Sequence, residues 1–268
     1  MIDLHCHVLP GIDDGPVTIE EAVELARAAA AAGTRVLVAT PHVNRRFANE
    51  AATIAARTAE LNARLADEGI AVEVRAGAEI AISRATELAS EELRRLTLGG
   101  GRWLLLEPPF TQRATGIDIL IRDVLRHGHR IVLAHPERCP TFRHDRQMLR
   151  ALVGEGILTS ITAGSLVGRF GDDVRRFAME LVAEGIVHNV ASDAHDRQAR
   201  PPSIAPELAQ SGFGAFAEWW TRDVPGAILG DGEIPRRPSV PLPEPTRARR
   251  WRWPRLARTS SAHVKRAS

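Results

Sequence analysis

The sequence contains almost no lysine, since Lys265 is the only one among its 35 Lys and Arg residues. A P-loop needs a lysine after its glycines, and a kinase or a Schiff-base enzyme needs one within the folded domain. Lys265 lies close to the C-terminal end of the 268 residues. The composition therefore excludes these three kinds of site, and the excess of arginine indicates no chemistry by itself.

Cysteine, tyrosine and long apolar runs are also scarce or absent. Two cysteines, Cys6 and Cys139, are too few for a disulfide framework and fit a reducing compartment. A cysteine-dependent phosphatase carries arginine six positions after its cysteine, but those positions hold Ile12 and Asp145. The sequence has neither an 18-residue apolar run nor the features of a signal peptide at its N-terminus. We therefore expect a cytoplasmic protein.

Strand and helix patterns alternate over residues 2–191. Apolar runs predict seven strands, at 2–7, 35–40, 72–80, 103–107, 130–135, 158–162 and 186–191. Helical patterns lie at 18–33, where Thr18 and Glu21 form a capping box, and at 51–69, 86–96, 117–128, 145–154 and 172–185. Repeated βα units predict an α/β fold with a parallel sheet that is covered on both faces. Seven units favour a closed or nearly closed barrel; a doubly wound open sheet is the alternative, although no GxGxxG follows the first strand.

The composition changes near residue 235, which predicts a folded domain at 1–235 and a basic tail rich in Pro and Arg at 236–268. The tail contains ten of the 35 basic residues and one of the 33 acidic residues. The preceding domain therefore has seven more acidic than basic residues. Trp251 and Trp253 lie among the arginines of the tail, so peripheral contact with anionic lipid or an acidic partner is an alternative to a solvated tail.

Metal-capable side chains follow the predicted strands at their C-terminal ends, which meet on one face of a parallel barrel. They are His5, His7, His42, Glu79, Glu107, His135, Asp193 and His195, and the adjacent Asp13 and Asp14 can join them. A lone histidine at a strand end is more often a hydrogen-bonded polar residue than a ligand. The joint placement favours a metal centre of two or three ions, and mixed imidazole and carboxylate ligands suit Zn, Mn or Fe.

Two arginines follow candidate ligands closely in the sequence. Arg138 lies three residues after His135, and Arg200 lies five residues after His195. The planar guanidinium group matches phosphate oxygens, so both are candidate phosphate-binding residues. Chance proximity is the alternative in a chain so rich in arginine.

These motifs together resemble the polymerase-and-histidinol-phosphatase superfamily. The motifs are HCH at 5–7, TPH at 40–42, GAEI at 77–80, LLLEPP at 104–109, AHPER at 134–138 and SDAH at 192–195. Within that superfamily, MIDLHCHVLPGIDDGP and SDAHDRQARPP are similar to the bacterial manganese-dependent protein-tyrosine phosphatases of capsular and exopolysaccharide gene clusters. The resemblance covers about residues 1–230, and its specificity comes from the joint pattern.

The resemblance implies a distorted, TIM-like (β/α)7 barrel that holds three divalent metal ions, with manganese favoured and iron or zinc as alternatives. It implies these ligand sets: His5, His7, Glu79 and Asp193 for the first ion; Glu79, Glu107 and His135 for the second; Asp14, His42 and His195 for the third. Arg138 and Arg200 match the two phosphate-binding arginines of the family. The implied substrate is a phosphotyrosine protein, in particular a bacterial tyrosine kinase of polysaccharide synthesis or export, and no nucleic acid partner is expected.

Two other functions fit the same residues. A histidinol-phosphate phosphatase or a nucleotide or nucleic-acid phosphoesterase could use the same scaffold and the same ligands. A non-enzymatic module with a structural metal site is the second alternative, although the complete ligand set argues against it. For phosphomonoester hydrolysis at this site we expect attack by a water molecule that the cations activate, without a covalent phosphoenzyme.

Overall fold

The computed structural model describes residues 1–111 and 114–242. In these residues, parallel strands form a sheet in the order β1-β2-β4 and a second sheet in the order β3-β5-β6-β7-β8-β9. The strands are β1 Ile2–Cys6, β2 Val36–Ala39, β3 His42–Val43, β4 Glu73–Ala76, β5 Glu79–Ala81, β6 Trp103–Glu107, β7 Arg130–Ala134, β8 Leu158–Thr162 and β9 Asn189–Ala191. The predicted mixture of helices and parallel strands is confirmed.

Helices connect most consecutive strands, as parallel pairing requires. They are α1 Ile19–Ala31, α2 Ala51–Asp67, α3 Ile82–Ala85, α4 Ser90–Arg95, α5 Ile117–Arg126, α6 Pro140–His144, α7 Arg146–Gly154, α8 Ala163–Leu166, α9 Asp172–Glu184, α10 Ala205–Ser211 and α11 Val224–Leu229. The predicted capping box of α1 is present, because the Thr18 hydroxyl accepts from Glu21 N and the Glu21 side chain accepts from Thr18 N.

Two predicted elements differ in the structure. The strand predicted at 72–80 is interrupted between β4 and β5 at Gly77, where an added Cβ would lie 2.8 Å from Val38 Cγ1 and 3.2 Å from Leu98 Cδ2. This close approach explains why glycine occupies the break. The helix predicted at 86–96 is shortened to α4, Ser90–Arg95, and the separate short helix α3 precedes the predicted range at Ile82–Ala85.

The end of β9 returns to β1. Asp193 N donates to His5 O at 2.9 Å, and His7 N donates to Ala194 O at 2.8 Å. The buried Asp3 carboxylate reinforces this junction by accepting hydrogen bonds from the backbone N and the hydroxyl of Ser192. The first and last strands are thereby adjacent, while the seven-stranded barrel itself stays a prediction.

A continuous apolar core fills the space between the sheets and the helices. It includes Trp220, which is fully buried and whose Nε1 donates to Val187 O at 3.1 Å. Val240 packs against this core, and the domain boundary predicted at 235 stays a prediction. Residues 243–268, most of the predicted tail, lie outside the described residues. Within the described ranges, none of the helices has the length and apolar character needed to cross a bilayer.

Candidate metal centre

The fold brings the predicted ligands together where the strands end. His5 lies in β1 and Glu107 ends β6. His42 and Glu79 lie three residues after the ends of β2 and β4, where the short strands β3 and β5 begin, and the others follow β1, β7 and β9. Strand ends of a parallel sheet meet at one edge, which explains why residues so distant in sequence become neighbours. Four groups of side chains have the spacing of metal ligands: His5, His7 and Asp193; His5, Glu79 and His135; His42, Glu79 and Glu107; His7, Asp14, His42 and His195.

The first predicted ligand set contains His5, His7, Glu79 and Asp193, and three of them, His5, His7 and Asp193, form one of the four groups. Nε2 of His5 lies 3.2 Å from Nε2 of His7, 3.4 Å from Glu79 Oε2 and 3.3 Å from Asp193 Oδ1. Nε2 of His7 lies 3.3 Å and 3.5 Å from the same two carboxylate oxygens. All four side chains are at least 98% buried. These atoms therefore face one small volume that solvent hardly reaches.

This volume fits a cation. Two ligand atoms at a tetrahedral angle on bonds of about 2.0–2.1 Å lie about 3.3–3.4 Å apart, close to the distances of the two imidazole nitrogens from each other and from the two carboxylate oxygens. Within the described part of the chain, Glu79 Oε2 and Asp193 Oδ1 are buried and have imidazole nitrogens nearby but no donor in hydrogen-bond geometry. Burying carboxylate oxygens without donors is costly, so the arrangement favours a positive charge beside them.

The third predicted set lies within one group, together with His7, whereas the second set is divided between two groups that share Glu79. Nε2 of His135 lies 2.7 Å from Glu79 Oε1, while Glu107 Oε2 lies 3.7 Å from His42 Nδ1. Asp14 Oδ1 lies 3.5 Å from His42 Nε2 and 3.3 Å from His195 Nε2, as the third set requires. Since His42 faces Glu79 with one nitrogen and Asp14 with the other, it connects the two sets.

Asp13, which the sequence offers as a further ligand, belongs to none of the four groups. Its Oδ2 lies 2.7 Å from His7 Nδ1 and accepts a hydrogen bond from His42 N at 3.1 Å. Its Oδ1 accepts from Gly15 N at 3.0 Å. A carboxylate on Nδ1 fixes the tautomer that leaves the Nε2 lone pair for a cation. His195 is oriented similarly, with its Nδ1 at 3.1 Å from Asp193 O.

Both predicted arginines reach the centre through Asp193. Arg138 Nη1 and Arg200 Nη2 donate to Asp193 Oδ2, while Oδ1 of the same carboxylate faces His5 and His7. The guanidinium group of Arg138 is also stacked between two phenyl rings. Its Cζ lies 5.0 Å from the centroid of Phe110 and 4.4 Å from that of Phe170. Aromatic faces attract a cation and hold its plane, so Arg138 is well oriented.

The backbone of the centre is strained at two positions. His135 and Asp193 have φ angles of 31° and 52°, in the left-handed region that non-glycine residues rarely occupy. Such conformations cost about 1–3 kcal/mol each and concentrate at functional sites. Sequence reasoning places both residues among the ligands, and their backbone conformations agree with a functional constraint.

The charges of the centre depend on one another. Burial and the nearby Glu79 carboxylate raise the pKa of Glu107 to about 8. Burial would lower the pKa of His7, but hydrogen bonds and charge from Asp13 and Glu79 outweigh it and raise that pKa to about 10. Without a cation, these carboxylates hold protons on themselves or on the imidazoles. Cation binding therefore competes with protons.

The two cysteines do not contribute a nucleophile. Both are buried and free. Burial raises the pKa of the Cys6 thiol well above its usual value, and burial also raises that of Cys139. Since the thiolate is the reactive form, neither side chain is activated, which agrees with the missing arginine in their motifs.

Residues 1–210 match the family described as capsular polysaccharide synthesis, CpsB/CapC. This chain belongs to the CpsB/CapC family. The family resemblance predicted from the motifs is thereby confirmed.

Individual CpsB/CapC relatives match over most of their length. The tyrosine-protein phosphatase YwqE of Bacillus subtilis (strain 168) is 35% identical over 245 residues, which cover 90% of this chain and 96% of YwqE. The putative tyrosine-protein phosphatase CapC of Staphylococcus aureus is 31% identical over 205 residues, which cover 75% of this chain and 79% of CapC. A solved structure from work on YwqE and on CpsB of Streptococcus pneumoniae, described as metal-dependent tyrosine phosphatases, superimposes with a TM-score of 0.80. It has 34% identity and covers 91% of this chain and 100% of that chain.

Proposed function

We propose that this CpsB/CapC family member is a metal-dependent protein-tyrosine phosphatase that hydrolyses phosphotyrosine on proteins of polysaccharide synthesis, in particular a tyrosine kinase. One observation carries the proposal: Arg138 and Arg200 converge on the oxygen of Asp193 that faces away from the imidazoles. Two guanidinium groups beside a set of metal ligands form a binding site for a phosphate group. The tyrosine phosphatase activity named for YwqE agrees with this site.

The proposed cofactors are three divalent ions, with manganese favoured. His5, His7, Glu79 and Asp193 would hold the first; the second would use Glu79, Glu107 and His135, and the third Asp14, His42 and His195. When bound, such cations supply positive charge to phosphate oxygens and lower the pKa of water towards neutrality. The unpaired buried oxygens of Glu79 and Asp193 support this assignment. We also propose that the two sheets form one distorted seven-stranded barrel and that the protein is cytoplasmic.

The arginines stabilise the substrate in this proposal. Arg138 and Arg200 donate hydrogen bonds to the non-bridging oxygens of the phosphoryl group, where negative charge is concentrated during in-line displacement. Their side chains are 17% and 26% exposed, so they act in a partly dry environment where such contacts are strengthened. The leaving phenolate has a pKa of about 10 and departs more readily than an alkoxide.

A comparison of three substrates tests the function. The purified protein with added manganese is offered a phosphotyrosine peptide, histidinol phosphate and single-stranded DNA. We expect phosphate release from the peptide at the highest kcat/KM. Absence of release from the peptide, with turnover of either other substrate, would assign the site to a different phosphoesterase on the same scaffold.

Phosphate binding by Arg200 is tested with two alanine variants in the same loop. We expect Arg200→Ala to lower kcat/KM on the phosphotyrosine peptide by about 100-fold or more, as for loss of one donor to a developing oxyanion. Arg197→Ala is the control, because Arg197 is 59% exposed and pairs with Glu24 instead. Equal activities of the two variants would remove Arg200 from the phosphate site, and Arg138→Ala tests Arg138 in the same way.

Chelation separates an enzyme from a module with a structural metal. Removal of the metal should abolish activity while the circular dichroism spectrum is retained, because the core packs without the ligands. Unfolding on chelation at 25 °C would instead indicate a structural metal site.

A further inference from the structure

An apolar cavity opens beside the metal ligands. It has a volume of about 150 Å³, and its apolar lining includes Ile82, Pro109, Phe110, Ile117 and Leu120. Glu107 also lines this cavity, and the same carboxylate belongs to a candidate ligand group with His42 and Glu79. We call it the aryl cavity. It shares a wall with the candidate metal centre.

The size and lining of the aryl cavity fit one aromatic ring. A cavity of about 150 Å³ lined by aliphatic and aromatic side chains is large enough to hold benzene. Phe110 and Leu120, which line it, are 47% and 36% exposed, which places them among the large apolar side chains that remain accessible. Accessible apolar surface next to a polar site is typical of ligand binding.

Phe110 connects the aryl cavity to the phosphate-binding arginine. Its ring stacks on His135, with centroids 5.4 Å apart and planes at 22°, and the Cζ of Arg138 lies 5.0 Å from its centroid. In phosphotyrosine a single oxygen separates phosphorus from the ring. A phosphoryl group held by Arg138 therefore places the phenyl ring of its own substrate within reach of Phe110.

We propose that the aryl cavity receives the phenyl ring of the phosphotyrosine substrate, and that Phe110 and Leu120 select aryl over alkyl phosphates. The proposal rests on the proposed phosphatase function and deepens it. An aryl phosphate buries its ring against apolar side chains, whereas a phosphoserine side chain has no ring to bury. In this proposal the arginines bind the phosphate group and the aryl cavity binds the phenyl ring.

Two variants change the aryl cavity without touching Arg138. Leu120→Ala removes part of its wall, and Ser83→Phe fills it from an exposed position that also lines it. Ile119→Ala is the matched control, because Ile119 is 62% exposed on the same helix α5 and does not line the cavity. The manganese-loaded full-length variants are assayed for kcat/KM with a phosphotyrosine peptide and with phenyl phosphate. The inhibition constant of inorganic phosphate reports the phosphate site alone.

We expect both cavity variants to lower kcat/KM roughly tenfold for both aryl substrates, as for a changed apolar contact in a pocket. The inhibition constant of phosphate should stay within about twofold, and Ile119→Ala should change neither quantity. Unchanged aryl kinetics in both cavity variants, or a parallel rise in the phosphate inhibition constant, would overturn the proposal. A loss with the peptide but not with phenyl phosphate would also overturn it, because the cavity would then bind a neighbouring residue. If the unmodified protein releases no phosphate from either aryl substrate, the proposed function itself fails.

Discussion

Asp13→Asn should weaken metal binding although Asp13 belongs to none of the ligand groups. Its carboxylate lies on His7 Nδ1 and also accepts hydrogen bonds from the backbone of His42 and Gly15. An asparagine has nearly the same shape but only one acceptor oxygen and no charge. The substitution therefore removes support from two predicted ligands at once, with little change in volume.

The expected magnitude follows from these contacts. Loss of a carboxylate that orients a histidine ligand costs about 10- to 100-fold in metal affinity, which corresponds to about 1.4–2.7 kcal/mol. The short His7 contact of 2.7 Å is charge-assisted, and its loss also lowers the basicity of the Nε2 lone pair. The backbone contacts to His42 and Gly15 place the effect towards the upper end of this range.

Metal titration measures the effect directly. The chelator-treated protein is titrated with manganese, and the free ion is followed by electron paramagnetic resonance, with thermal unfolding as a check of the fold. Asp145→Asn is the control, because Asp145 caps α7 through Met148 N and belongs to none of the ligand groups. A manganese affinity of Asp13→Asn within twofold of the unmodified protein would refute the orienting role.

Three further predictions concern stability. Chelation should lower the thermal midpoint, measured by calorimetry, without unfolding at 25 °C, because the stabilisation from metal binding is lost while the core persists. Burial lowers the pKa of His188 to about 4 from its usual 6.5, so its contribution to the free energy of unfolding is complete above about pH 6.5 and declines as the pH falls towards 4. The free energy of unfolding of His188→Gln, measured with urea, should therefore fall less between pH 7.5 and pH 5 than that of the unmodified protein. Trp220→Phe should cost about 1–3 kcal/mol in the same assay, because Val187 O loses its buried donor.

The regular strands were predictable because their signal is local. The apolar runs at 103–107 and 158–162 match β6 and β8 residue for residue, and the Thr18 capping box is present. The break at Gly77 depends on contacts with Val38 and Leu98, which no local pattern contains. Residues 205–229 form helices around prolines and glycines because Trp219 and Trp220 are buried there, and this stabilisation arises only from tertiary packing.

The candidate site was predictable as a set, but its internal connections were not. Strand ends of parallel βα units must meet, so motifs such as HCH and SDAH are enough to indicate a common site. Three of these connections depend on side-chain directions, which the sequence does not contain. They are the contact of Asp13 with His7 Nδ1, the acceptance by Asp193 of hydrogen bonds from both arginines, and the contact of Phe110 with Arg138. The adjacent acids Asp13 and Asp14 were visible in the sequence, yet nothing there distinguishes a ligand from the residue that orients one.

The pairing of Asp193 with both arginines has a consequence for the end of the reaction cycle. In the proposed phosphatase, an entering phosphate group shares the guanidinium groups of Arg138 and Arg200 with Asp193 Oδ2, which already accepts one hydrogen bond from each. The positive charge of the arginines is then divided between Asp193 and the phosphate, which lowers the affinity for inorganic phosphate. Because Asp193 competes with phosphate for the two arginines, the product is held less tightly. Rapid departure of the product keeps the enzyme available for the next turnover.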